Sequence, residues 1–195
     1  MKICFFADSG SIHTARWCQH FHNLGHEIHV ITYNQAEIPN SKTYFLNVGE
    51  ISTKGGNWKL LFKYREVKKT LKEINPDVFH AMYATSYGVT GSLCRFKPYV
   101  ITALGSDLLI SPQSSIIYRI LLRFAFSRAQ LITVMSDQMK KEAEKLGVSN
   151  KKVITLPFGI DPKMFNAEQR KLDESKFVIT STRNFERVYN IPHLL

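Results

Sequence analysis

The chain has 195 residues, of which 44% are hydrophobic and 22% charged, and 26 Lys+Arg against 16 Asp+Glu give a formal charge of +10. This composition excludes a disordered or fibrous chain and provides for one sizeable core. No apolar run reaches the roughly 18 residues of a membrane span: Ile116–Phe126 is broken by Arg119 and Arg123, and the opening run Ile3–Ala7 stops at Asp8, too short for an export signal.

The elements follow in order. Lys2–Asp8 reads as a strand. Thr14–Leu24 reads as a helix, with Trp17, Phe21 and Leu24 at i, i+4, i+7 and Gly25 as its stop. Glu27–Thr32 and Thr43–Val48 are strands, and Gly55-Gly56 breaks the chain. The next helix places Leu60, Tyr64, Val67, Leu71 and Ile74 on one face and ends at Asn75-Pro76. Asp77–Met82 and Tyr99–Leu104 are strands around a helix at Tyr87–Arg95. Ser115–Arg128 is a helix that is apolar on nearly all sides. Leu131–Met135 is a short strand, and Ser136 caps a helix over Asp137–Leu146 with Gly147 as its stop. Val153–Leu156 is a further strand.

Strands separated by helices at this spacing predict a Rossmann-like α/β fold, a parallel sheet with helices on both faces. Such sheets bind ligands outside the carboxyl ends of their strands. The loops to inspect are therefore Asp8–Thr14, Ala81–Ser86, Leu104–Ser111 and Pro157–Phe165. Beyond them, a charged linker at 166–176 leads to an expected strand at Phe177–Thr182 and a helical pattern from Ile191. One strand and a helix stub bury no core. The expectation is one complete domain over 1–165 and the opening of a second at 177–195.

The first strand-to-helix loop, Asp8-Ser9-Gly10-Ser11-Ile12-His13-Thr14, lacks the GxGxxG of a dinucleotide-binding turn. Its small polar residues before a helix N-terminus suit an anion or a sugar hydroxyl, although Ser11 or Thr14 would serve equally as a simple cap. In Gly105-Ser106-Asp107, the glycine permits a tight turn and Asp107 accepts from hydroxyls or from its own backbone. Cys4, Cys18 and Cys94 cannot all pair and form no CxxC, so free thiols in a reducing cytoplasm are expected. Seven histidines bring no ligand set with zinc spacing, and no metal is expected.

The net charge implies an anionic partner or mere solubility. Arg65, Lys68 and Lys72 line one flank of the helix after Gly56, with Lys59 and Lys63 on the other; Arg119 and Arg123 form a second row. These rows suit either a solvated face or docking on anionic lipid. Nucleic acid is disfavoured, because no strand-borne aromatics, helix-turn-helix or zinc module accompany the basic residues.

Four segments resemble the N-terminal half of a GT-B glycosyltransferase of the large retaining "group 1" (family 4) type. They are Ser11–Trp17 with Leu24–Val30, Pro76–Ala81, Gly105-Ser106-Asp107, and Ala129–Ser136 continuing through Leu146-Gly147-Val148 to Leu156–Asp161. Ser181–Phe185 resembles the start of that family's second, nucleotide-binding domain, with Arg183 in the position that grips the donor diphosphate. An arginine suits phosphate because its planar fork donates two parallel hydrogen bonds. The resemblance implies transfer of a sugar from a nucleotide-diphosphate donor to a sugar or lipid-linked hydroxyl acceptor, with retention, no metal and no cofactor beyond the donor substrate. It implies acceptor contacts at Gly10, Ser11, His13, Ser106 and Asp107 and a donor contact at Arg183, and assigns no catalytic base. With the free thiols and the basic helix flanks, the expectation is a cytoplasmic protein with the option of peripheral docking on the membrane's inner face, and the unfinished second domain leads to the expectation that the present chain is inactive alone. Leu104 departs from the pattern, where many members carry histidine, and so does Tyr189-Asn190, where many carry Lys-Gly. The alternatives are a non-catalytic membrane-surface module and a sugar-nucleotide epimerase of the same fold.

Overall fold

The computed structural model describes residues 1–49, 57–163, 165, 175, 177, 179–182, 190 and 191. The chain divides into two compact units, Met1–Phe158 and Gly159–Leu195.

The first unit carries a seven-stranded, all-parallel sheet. Its strands are β1 (Lys2–Phe6), β2 (Glu27–Thr32), β3 (Lys42–Phe45), β4 (Val78–Met82), β5 (Tyr99–Thr102), β6 (Leu131–Val134) and β7 (Val153–Thr155). They lie in the order β3-β2-β1-β4-β5-β6-β7, with pairs such as Ile3↔Ile28 and Ile3↔Val78 fixing the register around β1. Building proceeds outward from β1 in one direction and then from β4 in the other. The order therefore reverses between β1 and β4, and a crevice opens there at the strands' carboxyl ends.

Strand periodicity sorts the core. Ile3, Phe5 and Ala7 of β1 and its exit join Cys18 of helix α1 (Ile12–Asn23) on one face. Cys4 and Phe6 point to the other. That second cluster takes in Val67, Leu71 and Ile74 of helix α3 (Tyr64–Ile74). It also takes in residues of α4 (Val89–Leu93), α7 (Ile116–Arg128) and α8 (Asp137–Lys145). Gly91 of α4 lets this helix approach the sheet: a Cβ there would lie 2.6 Å from Tyr99 Oη. Tyr99 in turn donates to the Gly88 carbonyl at 2.6 Å. All three cysteines are free and buried.

The caps follow the sequence. Ser11 Oγ accepts from His13 N–H at 3.3 Å at the start of α1, and Gly25 leaves it with φ +82°. Asn75 ends α3 in the left-handed region, donating to the Leu71 carbonyl at 2.9 Å. Ser136 Oγ accepts from Met139 N–H at 3.3 Å to open α8.

Two helices depart from the expected bounds. The stretch from Leu60 to Ile74 is broken at Lys63 into α2 (Lys59–Phe62) and α3. The first part is wound tightly by bonds from Leu60 N–H to the Asn57 carbonyl and Lys63 N–H to the Leu60 carbonyl, three residues apart. The helix expected at Tyr87 begins earlier, with a π-helical turn over Ala84–Gly88 that runs into α4. Tyr83, at φ +83°, swings the chain into this wide turn, and Gly88 N–H closes it on the Tyr83 carbonyl at 3.0 Å. Two short helices, α5 (Ser106–Leu109) and α6 (Ser111–Ser114), occupy the loop after β5.

In the second unit, Lys163 N–H donates to Asp161 Oδ1 and Phe165 N–H to the Asp161 carbonyl, each at 2.9 Å. Phe177 and Ile179–Thr182 are not in the strand expected there, and Phe177 and Ile179 are exposed. A strand needs a hydrogen-bonded neighbour, and none of the described residues of this unit supplies one. Val178 and the helical pattern after Ile191 lie outside the described residues, as does most of the expected linker.

Candidate acceptor site

A cavity of about 1140 Å³ lies at the carboxyl ends of the strands. Its floor is polar: Asp8, Ser11 and Thr14 after β1, Asn34 after β2, and Thr85, Ser86 and Ser106 after β4 and β5. Tyr33, Tyr83, Tyr87, Trp58 and Tyr118 add aromatic surface. Among the described residues no Lys, Arg or His lines the cavity, and Asp8 is the one carboxylate that does. Such a wall offers amide and hydroxyl groups together with ring faces. It suits a neutral, hydroxyl-rich ligand and disfavours a diphosphate, which needs cations or unpaired N–H donors.

The loop after β1 is braced from within. Asp8 Oδ1 accepts from Gly10 N–H at 2.9 Å and from Asn34 Nδ2 at 3.0 Å. Ser11 N–H donates to the Asp8 carbonyl at 3.1 Å. Of the residues expected here, Ser11 reaches the cavity, whereas Gly10 and His13 are not in its lining. Gly10 acts behind it: a Cβ at this position would come within 2.6 Å of Asn34 Nδ2. The His13 ring stacks on Phe158 with centroids 3.9 Å apart and planes 3° from parallel. Burial, then the Arg16 charge, holds its pKa below the ordinary imidazole value, and its Nδ1 has no hydrogen-bond partner among the described residues.

The loop after β5 separates two neighbours. Ser106 lines the cavity, and its Oγ lies 3.0 Å from Tyr83 Oη. Asp107 is fully buried and absent from the lining. Its carboxylate accepts from Ala84 N–H at 2.6 Å, Gly105 N–H at 2.8 Å and Leu104 N–H at 3.0 Å. Burial raises its pKa above the usual carboxylate value, against the pull of those donors. Asp107 thus ties the start of the π-helical turn to the glycine turn, and of the two residues expected here only Ser106 lines the cavity. Gly105, at φ +144°, makes this turn possible. Arg183 and Tyr189 lie outside the described residues.

Tyr83 was not among the expected site residues, although the loop that holds it was. A tyrosine at φ +83° is strained by roughly 1–3 kcal/mol, and this backbone carries it into the lining beside Ser106. Asn34, Trp58 and Tyr118 were missed as well, since no local pattern marks a lone residue on a distant loop as facing the same space. Among the described residues no group of His, Cys, Asp and Glu is placed to hold a metal ion.

The family profile described as "Glycosyl transferase 4-like" matches residues 2–136. The chain belongs to this family of glycosyltransferases, and its sheet is the Rossmann-like half of the GT-B fold. Sucrose-phosphate synthase from Thermosynechococcus elongatus superposes with a TM-score of 0.69 at 15% identity over 85% of this chain and 50% of its own. Anabaena HepE, solved with UDP and glucose, gives 0.61 at 18% identity over 84% of this chain and 46% of its own. UDP-GlcNAc 2-epimerase from Methanocaldococcus jannaschii gives 0.58 at 18% identity over 80% and 45%. The chain therefore spans about half the length of these neighbours. No curated protein matches the sequence significantly. The fold is shared with epimerases, but the family match is to glycosyltransferases.

Proposed function

We propose that this chain is the acceptor-side half of a retaining, metal-independent glycosyltransferase that uses a nucleoside-diphosphate sugar. The observation that carries this reading is the cavity at the β1/β4 reversal, lined among the described residues by hydroxyl, amide, ring and aliphatic groups with Asp8 as its one charged side chain, in a chain of this family. In the reaction, the acceptor hydroxyl oxygen bonds to the anomeric carbon and its proton passes to the departing diphosphate oxygen. The bond from that carbon to the diphosphate oxygen breaks, and its electron pair leaves with the nucleoside diphosphate. UDP is the favoured nucleotide, since HepE was solved with UDP-glucose.

In this assignment Ser11, Asn34, Tyr83 and Ser106 hold the acceptor. Gly10 and Asp107 shape the loops around it, and His13 borders it. Residues 1–165 form the acceptor domain, 166–176 the linker and 177–195 the beginning of the donor domain, where Arg183 meets the diphosphate. The protein works in the cytoplasm, peripheral on the inner face of the membrane, and needs no cofactor.

Sugar binding tests this directly. The chain has two tryptophans, and Trp58 lines the cavity. Neutral glycosides are expected to change its emission at millimolar concentration, and Asn34→Ala and Ser106→Ala to weaken that response several-fold. UDP alone is expected to leave the emission unchanged. A response to UDP with none to any sugar would reverse the assignment of this half.

A further inference from the structure

The cavity is longer than a single sugar needs. Its lining comes from the carboxyl ends of five strands that lie side by side, β3-β2-β1-β4-β5. Neighbouring strands lie about 4.8 Å apart, so the spacings from β3 to β5 together cover roughly 19 Å. A pyranose ring spans little more than one such spacing. The volume of about 1140 Å³ likewise exceeds the roughly 300–1,000 Å³ that encloses a drug-sized ligand, and a hexose is smaller than such a ligand.

The groove runs between the two helix layers. Helix α1, with Ser11 and Thr14 at its start, packs through Cys18 on the smaller core cluster, while α2 and α7 pack through Leu60 and Leu122 on the larger. Each of the five strands delivers an uncharged hydrogen-bonding side chain to the space between: Asn47 after β3, Asn34 after β2, Ser11 after β1, Thr85 after β4 and Ser106 after β5. Two of these are held from behind. Asn34 Oδ1 accepts from Ala36 N–H at 3.1 Å and Asn47 Oδ1 from Gly49 N–H at 3.0 Å, which orders both amides before a ligand arrives. One polar group per strand spacing matches a ligand that repeats its hydroxyls along a chain.

Ring surface stands on the wall formed by α2 and α7. Trp58, just before α2, is 41% exposed. It is nevertheless held in place, stacked on Tyr118 of α7 with centroids 5.8 Å apart and planes 13° from parallel. Both rings line the cavity. A large ring open to solvent and fixed by a second ring is a prepared platform for the C–H face of a sugar. Among the described lining residues Asp8 is the one charged side chain, and its carboxylate already accepts from Gly10 N–H and Asn34 Nδ2. These residues therefore offer no cation to an acidic sugar.

We propose that the cavity is a groove for a neutral oligosaccharide, and that the acceptor is a glycan of at least three sugar units laid across the strand ends from β5 to β3, with one unit on the Trp58–Tyr118 platform. This names the substrate class of the acceptor site and rests on the acceptor reading above.

The test is a binding series with the 195-residue chain. A glycan array carrying neutral mono- to pentasaccharides of glucose, galactose, mannose and the N-acetylhexosamines, with uronic-acid and sialylated chains alongside, selects the sugar. Calorimetry then follows that sugar in solution as the chain lengthens. Affinity is expected to rise roughly tenfold for each unit up to the third, the worth of one or two hydrogen bonds per step, and to level off once the groove is filled. Trp58→Ala is expected to weaken the trisaccharide about fivefold, and Trp58→Phe, which keeps a ring, to recover most of that loss. Asn47→Ala, at the β3 end, is expected to weaken it several-fold and to flatten the dependence on length. Both positions are exposed, and circular dichroism checks that each variant is folded.

A monosaccharide that binds as tightly as its trisaccharide overturns the proposal and leaves the acceptor reading in place. So does tighter binding of acidic than of neutral chains. An aryl monoglycoside that matches the trisaccharide gives the platform to an aromatic aglycone and overturns the proposal as well. A length dependence that survives in both Trp58→Ala and Asn47→Ala places the glycan elsewhere, with the same consequence. Binding of no glycan at any length overturns the acceptor reading together with the proposal.

Discussion

At the residue scale, the two loops that look alike in sequence divide their labour. Ser11 and Ser106 face the cavity, whereas Gly10 and Asp107 hold the backbone behind them. Asp107→Ala would leave the N–H groups of Ala84, Leu104 and Gly105 without their acceptor. Each buried N–H so orphaned costs about 1–3 kcal/mol, so chemical denaturation should show a loss of several kcal/mol. His80 poses the converse case. It is buried, its Nε2 lies 2.6 Å from Thr102 Oγ1, and burial pushes its pKa down to about 3. Between that value and the ordinary imidazole pKa near 6.5, the unfolded chain binds the proton and the folded one does not. Stability contributed by this site is therefore complete above the ordinary value and falls as pH drops through the window. The His80 ring resonances should stay at their neutral positions down to about pH 5 while the protein remains folded. An imidazole that titrates near its ordinary value would contradict this. The sequence showed that small polar residues cluster in these loops. It did not show which of two adjacent residues turns inward, because that depends on N–H groups from β4's exit meeting the β5 loop.

At the scale of elements, the sheet was legible because each strand is a short run of β-branched and aromatic residues closed by polar turns. The caps at Ser136, Gly25 and Asn75 were legible for the same local reason, whereas the sequence left Ser11 and Thr14 open as the cap of the first helix. The break at Lys63 was not, since an uninterrupted apolar periodicity runs through it. The π-helical turn was equally hidden, because its cause is the left-handed backbone of Tyr83 and the Asp107 carboxylate at Ala84, neither of which is a pattern in Ala84–Gly88 itself. Gly91 shows how closely the element that follows is seated. Gly91→Ala would place a Cβ 2.6 Å from Tyr99 Oη and 3.1 Å from Phe79 Cε1. Overpacking of this kind costs about 1–3 kcal/mol, and a thermal melt should fall accordingly. An unchanged melt would mean that α4 can slide away from the sheet.

At the scale of the molecule, the reversal between β1 and β4 gathers loops from five strands around one cavity. Residues as distant in sequence as Asp8 and Tyr118 thereby come to share it. That convergence explains why the family and the fold could be read from motifs while most of the cavity wall could not. The interior of this unit also carries three sealed thiols. Cys4, Cys18 and Cys94 lie in the two core clusters on opposite faces of the sheet, and burial pushes Cys18 and Cys94 up to about 12. A thiol alkylating reagent should therefore label the folded chain slowly at all three, and quickly once denaturant is added; rapid labelling under native conditions would contradict the packing described. Because Cys18 belongs to α1 and Cys94 follows α4, their separate labelling rates would time the loosening of each layer, so the protein bears a built-in clock for its own breathing.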